Sequence, residues 1–466
     1  MPRLDHQFVM EATGAALQGQ PPQDAFAGVS TDSRRVRPGQ LFIALKGPNF
    51  DGHRFVSDAL AKGAAGALVE RGFSQEAGGD ACLLVVPDTL RALGDLAGAW
   101  RRGQKALVCG LTGSNGKTTT KEMLAAILGR RHRVHKNPGN YNNLIGLPLT
   151  LLELRPEHGA CVVEMGMNAP GEIARLTEIA SPQVGLVTNV GPAHIGPLGS
   201  LEAVARAKTE LFRGLEGGAT AVVNLDDPLL APWRERLACR VVTFGRGREA
   251  DLRARDLAAL GGRQAFTLEL PDGEAVRPRL AVPGEHNVMN ALAAAAAAWA
   301  LGMKAQEIKA GLEELAPLPG RLSVVKGATG PWLLDDTYNA NPASVRAGLQ
   351  ALKVIAAGRR MGLILGDMLE LGTHSAELHR QTGLEAAQAG CRVVLALGEF
   401  APQVAEGARQ GGVDPALALA FGDRQELIER AREIFDENDV VLVKGSRGMA
   451  MEKVVQAVKG PEGDWY

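Results

Sequence analysis

Residues Gly113 to Lys121 read Gly-Ser-Asn-Gly-Lys-Thr-Thr-Thr-Lys, between an apolar run, Ala106-Leu107-Val108-Cys109, and a helix-forming segment, Glu122 to Leu128. Strand, glycine-rich turn, Lys-Thr and helix make the layout of a phosphate cradle. Glycines let oxygens approach backbone N–H groups, and the helix N-terminus adds positive potential. Gly113, Ser114, Asn115, Gly116 and Thr119 would line the cradle, Lys117 would reach the β- and γ-phosphates, and the Thr118 hydroxyl would ligate Mg²⁺. The spacing departs from strict G-x-x-x-x-G-K-[ST], because Leu111 stands where the first glycine belongs and Gly110 and Gly113 flank it. The alternative, a glycine-rich turn with an exposed lysine, fits the strand and helix on either side less well.

A cradle binds phosphate without naming a reaction. Glu164 ends the run Cys161-Val162-Val163, where the carboxyl end of a parallel strand meets a ligand crevice. A carboxylate there can hold Mg²⁺ directly or through water. His194 follows another such strand, in Val187 to Gly196, and Lys208 lies on a predicted helix, Ala205 to Phe212. By type alone, His194 reads as a structural histidine and Lys208 as a solvated lysine.

Such groups need a scaffold of alternating strands and helices. Apolar runs at Leu41 to Leu45, Leu83 to Val86, Ala160 to Val163, Val184 to Val187, Thr220 to Val223, Gly362 to Leu365, Val393 to Ala396 and Asp439 to Val443 alternate with helical stretches. This predicts an α/β fold with mostly parallel sheets covered on both faces. A break at Pro317-Leu318-Pro319-Gly320 marks one boundary. At 466 residues, three units are expected: 1–102, a small α/β unit; 103–318, a P-loop mononucleotide-binding unit on a parallel sheet; and 319–466, a Rossmann-like α/β unit.

Lysine plus arginine (51) and aspartate plus glutamate (52) nearly cancel, so no global field draws the chain to nucleic acid or anionic lipid. Aromatics make up 4% of residues, too few for base-stacking platforms. Five scattered cysteines without a C-x-x-C pair suggest reduced core thiols in a cytoplasmic protein. The N-terminus lacks the basic-then-apolar pattern of a signal peptide. The alanine-rich run Ala291 to Met303 is too short to span a bilayer and reads as a packed core helix.

Taken together, these segments resemble the Mur ligases, the ATP-dependent amide-forming enzymes of peptidoglycan precursor assembly. Gly113 to Thr120 is similar to their phosphate loop, whose shorter G-x-x-G-K-T spacing accounts for the departure noted above. Val163-Glu164-Met165-Gly166, Asn189 to His194 and Ala207-Lys208-Thr209-Glu210 match their magnesium glutamate, active-site histidine and modified lysine. Gly284 to Ala291 resembles the adenine-contacting H-N-x-x-N segment, with Asn287 and Asn290 its asparagines, although Glu285 stands where an arginine is common. Pro319-Gly320-Arg321 and Asp335 to Pro342 resemble segments that close over the nucleotide, which carries Arg321, Asp336, Tyr338 and Asn341 to the ATP site.

The resemblance also implies what is joined. Ser30-Thr31-Asp32-Ser33-Arg34, Leu41 to Lys46 and Phe50 to His53 look like the UDP-binding domain of the ligases acting third and fourth. Hydroxyls, a carboxylate and a guanidinium in one loop suit a uracil edge and a diphosphate; the bland alternative is a capped surface turn. Ser30, Thr31, Asp32, Ser33, Arg34, Lys46, Asn142 and Asn143 are the implied substrate contacts. The third enzyme's D-N-P-R motif is missing, whereas Asp336 to Pro342 and Leu365 to Gly372 are similar to the fourth, which adds D-alanyl-D-alanine to a UDP-N-acetylmuramoyl-tripeptide. Implied catalytic groups are Lys117, Glu164, His194, Lys208 and Arg321. Implied ligands of a pair of Mg²⁺ ions are Thr118, Glu164, His194 and Lys208, the last as a carbamate. A cytoplasmic monomer is expected. A diaminopimelate- or lysine-adding ligase, a folylpolyglutamate synthetase and a non-catalytic P-loop switch are the alternatives.

Overall fold

The computed structural model describes residues 4–47, 50–73, 81–192, 198–260 and 263–459. The α/β expectation holds: three separate parallel-dominated sheets follow one another along the chain. The first runs Ala16–Gln18, Leu83–Val86, Gly66–Glu70, Leu41–Ile43, Val29–Ser30, and only the edge strand Ala16–Gln18 is antiparallel. Helix Thr89–Arg102 leads out of it, capped by Asp88, whose side chain accepts from Arg91 N.

In the central sheet, Leu107–Thr112 lies between Ala160–Glu164 and Val184–Val187. Beyond Ala160–Glu164 comes Val134–Lys136; beyond Val184–Val187 come Thr220–Asn224, Arg240–Gly245 and Leu252–Leu260, all parallel. An antiparallel extension from Arg263–Glu269 closes that side. The inner strands are apolar on both faces because helices cover both, so they read as continuous runs rather than alternating ones. Strand order reverses on either side of Leu107–Thr112, and a crevice opens at the carboxyl ends there.

The alanine run belongs to helix Glu285–Ala300, buried from Ala291 to Ala298 against helix Lys117–Leu128. Methyl side chains let the two helices approach closely without voids. The cradle helix begins at Lys117 rather than at Glu122, because Gly116 takes the left-handed conformation that starts it. The predicted helix over 205–212 is instead two, Leu201–Lys208 and Glu210–Arg213, meeting at Thr209.

The last sheet runs Ser323–Lys326, Trp332–Asp336, Asp439–Lys444, Arg360–Gly366, Cys391–Leu397, Ala418–Phe421, parallel except at Ser323–Lys326. Cores on its two faces centre on Leu334, Leu363 and Leu442, and on Ile364, Leu395 and Val443. All five cysteines are free. Burial pushes the Cys82 thiol up to about 11 and the Cys391 thiol up to about 12, so both are inert apolar fillers. Among the described residues, no helix is long and apolar enough to cross a membrane.

Candidate active site

The phosphate loop leaves strand Leu107–Thr112 at Gly113 and enters the helix after Gly116. Both glycines are required by geometry. Gly113 has φ 153°, and a Cβ there would lie 1.9 Å from Thr188 Oγ1; Gly116 has φ 78°, and a Cβ would lie 2.0 Å from Asn290 Oδ1. The loop is stapled to the segment after strand Val184–Val187. Ser114 N donates to Asn189 O (2.9 Å), Asn115 N donates to Asn189 Oδ1 (2.9 Å), and Thr188 Oγ1 donates to Asn115 O (2.7 Å). The loop is therefore held in shape before any phosphate arrives. Lys117 Nζ folds back onto Gly113 O at 2.9 Å. Burial lowers its pKa and Arg321 adds to that, while Glu164 and Glu370 oppose it. Its charge thus sits in a desolvated setting where an anion gains much from meeting it.

Glu164, the last residue of strand Ala160–Glu164, is 2% exposed and is fixed from several sides. Its Oε2 accepts from Thr118 Oγ1 (2.8 Å), and its Oε1 accepts from Asn142 Nδ2 (2.8 Å). Asn137 brackets its backbone, accepting from Glu164 N (2.9 Å) and donating to Glu164 O (3.0 Å), while buried Lys121 donates to Asn137 O (2.8 Å). A hydroxyl from the first turn of the cradle helix and a carboxylate at a neighbouring strand end suit Mg²⁺, which takes few protein oxygens and fills its shell with phosphate and water. Among the described residues no cluster of three or more His, Cys, Asp or Glu could hold a metal.

Lys208 contradicts its reading as a solvated lysine. It ends helix Leu201–Lys208 and is 1% exposed. Burial, and then the charge of Lys117, hold its pKa well below the usual lysine range. His194 lies outside the described residues.

The third unit contributes the opposite wall. Arg321 Nη2 donates to Thr118 Oγ1 (2.8 Å), and its guanidinium lies 3.9 Å above the Tyr338 ring. Arg321 Nε is buried without a hydrogen-bond partner among the described residues. Asn341 Nδ2 donates to Asn115 Oδ1 (2.8 Å), and the Asn341 side chain also caps helix Pro342–Ala356. Asp336 pairs with Lys444 Nζ at 2.5 Å, joining strands Trp332–Asp336 and Asp439–Lys444 at their carboxyl ends.

These walls enclose a cleft of about 970 Å³ that brings together the loop, Glu164, Asn142, Asn143, Asn287, Asn290, Arg321, Asp336, Tyr338 and Asn341. Asn287 and Asn290 are buried; Asn290 Nδ2 donates to Asn287 Oδ1 (3.1 Å) and Asn290 closes under Gly116. Asn143 braces the turn before helix Gly146–Leu152, its Oδ1 accepting from Ile145 N at 3.1 Å and Gly146 N at 2.8 Å. The Ser30 to Arg34 loop and Lys46 are not part of the cleft. Arg34 turns back on Asp32, with Nε–Oδ1 and Nη2–Oδ2 both 2.9 Å, and holds the Asp32 carboxyl down at about 2. Asn137 and Lys444 were missed by sequence reasoning. Asn137 acts through the Glu164 backbone and carries no local signal, whereas Lys444 ends a legible strand-like run and could have been flagged by that position.

Family models match along the chain: Mur ligase family, catalytic domain, over 25–101; Mur ligase middle domain over 111–298; and Mur ligase, glutamate ligase domain, over 320–447. A UDP-N-acetylmuramoyl-tripeptide--D-alanyl-D-alanine ligase of Escherichia coli is 41% identical over 436 residues, covering 92% of this chain and 93% of that one. Crystal structure I of MurF from Acinetobacter baumannii superposes with a TM-score of 0.90 at 36% identity, covering 98% and 99%. The MurF ligase of Thermotoga maritima in complex with ADP gives a TM-score of 0.82 at 30% identity, covering 92% and 96%.

Proposed function

This chain belongs to the Mur ligase family, and from that premise we propose how its cleft uses ATP to join D-alanyl-D-alanine to UDP-N-acetylmuramoyl-tripeptide in peptidoglycan precursor synthesis. The observation that carries the reading is the meeting at Thr118 Oγ1, where Glu164 of the central sheet and Arg321 of the third unit both lie 2.8 Å away. Two units thus converge on the position where the β- and γ-phosphates would rest.

The substrate's terminal carboxylate attacks the γ-phosphorus, the bond to the β-phosphate oxygen breaks, and ADP leaves an acyl phosphate. The dipeptide amine then attacks the acyl carbon, loses a proton, and phosphate departs with its oxygen. Both steps crowd anions together, so this chain contributes mainly position and countercharge. Lys117 offsets charge on the transferring group, Arg321 approaches from the facing wall, and the stapled loop fixes the phosphates. Thr118 and Glu164 would hold Mg²⁺, which supplies charge neutralisation at the phosphate oxygens when bound.

Lys208 acts as a carbamate. A buried lysine disfavoured as an ammonium presents a neutral amine, and condensation with CO₂ turns it into an anionic oxygen donor of the kind Mg²⁺ prefers. His194, from its motif, completes the metal side. Asn287 and Asn290 support the adenine end, while Ser30 to Arg34 and Lys46, away from the cleft, take the uridine diphosphate end. The units divide at 1–102, 103–318 and 319–466, for the UDP-linked substrate, for ATP, and for closure with the incoming dipeptide. The enzyme works as a cytoplasmic monomer, one chain supplying every group named.

Phosphate release with ATP, UDP-linked tripeptide and D-alanyl-D-alanine, omitting one at a time, tests the assignment. Release requires all three. Release satisfied by diaminopimelate, lysine or glutamate in place of the dipeptide would overturn it.

A further inference from the structure

Lys208 and Glu164 stand on different elements, and one carboxylate that does not line the cleft ties those elements together. Glu210 follows Lys208 and Thr209 and opens the short helix Glu210–Arg213. Its Oε1 accepts from Gly171 N (2.9 Å) and its Oε2 from Ala174 N (3.1 Å), two amides at the N-terminus of helix Glu172–Ala180. The N-cap of that helix is Gly171, which has no side chain to offer, so a residue 39 positions away supplies the cap. We propose that Glu210 is a positioning residue for the metal side of the site: by clasping helix Glu172–Ala180 it fixes Lys208 in relation to Glu164. This role rests on the ligase reading above, in which Lys208 and Glu164 both serve Mg²⁺.

The joint beside Lys208 needs such a tie. Helix Leu201–Lys208 stops there, Thr209 turns its hydroxyl back on Ala205 O (2.8 Å), and a helix of four residues follows. Four residues form no stable helix alone, because nucleation costs more than so few hydrogen bonds return. Tertiary contact therefore sets the angle of the joint. Leu211 and Phe212 are buried, and a Cβ on Gly185 of strand Val184–Val187 would lie 3.3 Å from Leu211 Cγ. At the far end, a Cβ on Gly214 would lie 2.8 Å from Thr177 Cγ2, so the chain after Arg213 runs tightly against helix Glu172–Ala180. Apolar packing has no preferred direction, whereas two bonds to one carboxylate fix both distance and rotation.

The clasped helix is braced in turn back to Glu164. Met165 N donates to Leu111 O (2.8 Å), and Gly166 N donates to Asn142 O (2.7 Å), on the residue whose side chain also holds the Glu164 carboxylate. Glu172, at the first position of the helix, accepts from Asn168 N (2.5 Å) and Ala169 N (3.2 Å) and keeps the intervening loop compact. Glu210 itself is half-buried, and its negative charge at a helix N-terminus gains from the helix dipole. Lys208 lies near enough to the cradle for the charge of Lys117 to act on it, so a shift of the joint moves a group that faces the phosphates.

Magnesium binding tests this role without catalysis, by calorimetric titration of Mg²⁺ into the full chain saturated with ADP. E210A should raise the Mg²⁺ Kd by about 10- to 100-fold, the scale on which partners that orient metal ligands act. E210Q keeps one acceptor oxygen and should raise it by about three- to tenfold. D88A removes the cap of helix Thr89–Arg102 and should leave the Mg²⁺ Kd within about twofold, which separates positioning from a general loss of stability. In ligation assays the half-saturating Mg²⁺ should rise in step, while KM for D-alanyl-D-alanine stays within about twofold. In a Lys208→Ala background, E210A should add less than about twofold, because the group it positions is gone. E210A (or E210Q, should E210A not fold) with a Mg²⁺ Kd within about twofold of wild type overturns the role of Glu210 and leaves the ligase reading standing. If Lys208→Ala binds Mg²⁺ as wild type does, the metal role of Lys208 falls and that of Glu210 with it. Phosphate release from wild type without the dipeptide would refute the ligase reading instead.

Discussion

At the scale of single residues, the site depends on charges placed where water does not screen them. Lys117 is half-buried, fixed to its own loop and flanked by Glu164 and Arg321. Lys117→Ala should therefore cut ligation by on the order of 10³-fold while the thermal melt stays near that of wild type. Activity within tenfold of wild type would remove Lys117 from the chemistry. Lys208 makes a different prediction. With its folded pKa well below its unfolded value near 10.4, the unfolded chain binds the extra proton between those two values. Stability in that window rises with pH, so in CO₂-free buffer wild type should gain on Lys208→Met in urea melts taken from pH 7 to pH 9. In activity assays, Lys208→Ala should be partly rescued by formate or acetate; an unmoved stability difference together with no rescue would reject the carbamate.

At the scale of elements, strand ends carry the chemistry and ion pairs hold the ends in line. Asp336 and Lys444 are register partners at the carboxyl ends of neighbouring parallel strands, and Lys444 also donates to Asn339 O at 3.0 Å. Lys444 is buried, so Asp336→Ala leaves an uncompensated cation and should destabilise the third unit by about 3–5 kcal/mol. Urea titration measures this, and the double variant Asp336→Ala/Lys444→Met should recover most of the loss. The same strands show what was legible in advance. Runs such as Asp439 to Val443 announce buried parallel strands because both faces are apolar, yet nothing in them says which strand pairs with which.

At the scale of the whole molecule, the proposed uridine site would make the substrate reach across units. The nucleotide cleft lies between the second and third, while Arg34 stands apart from it, 84% exposed and paired with Asp32. To grip a diphosphate it must release or share that carboxylate. Arg34→Ala should weaken binding of the UDP-linked substrate by about 10- to 100-fold and leave ATP affinity unchanged, as read by calorimetry. Equal losses for both ligands would mean that the loop is not a uridine site.

The phosphate loop, the strand–helix alternation and the ordered family segments were all readable from sequence, because each is set by neighbours a few residues apart. Glycine conformations, apolar runs and helix starts are local properties of the backbone. The joining of Thr118 to Glu164, 46 residues away, and to Arg321, 203 residues away, was settled only by the folded chain. So was the fate of Lys208: composition makes a helical lysine a solvated one, and only the packing of helix Leu201–Lys208 against its neighbours takes it out of water. Burial and long-range pairing depend on how sheets and units come together, and no short stretch of sequence records that.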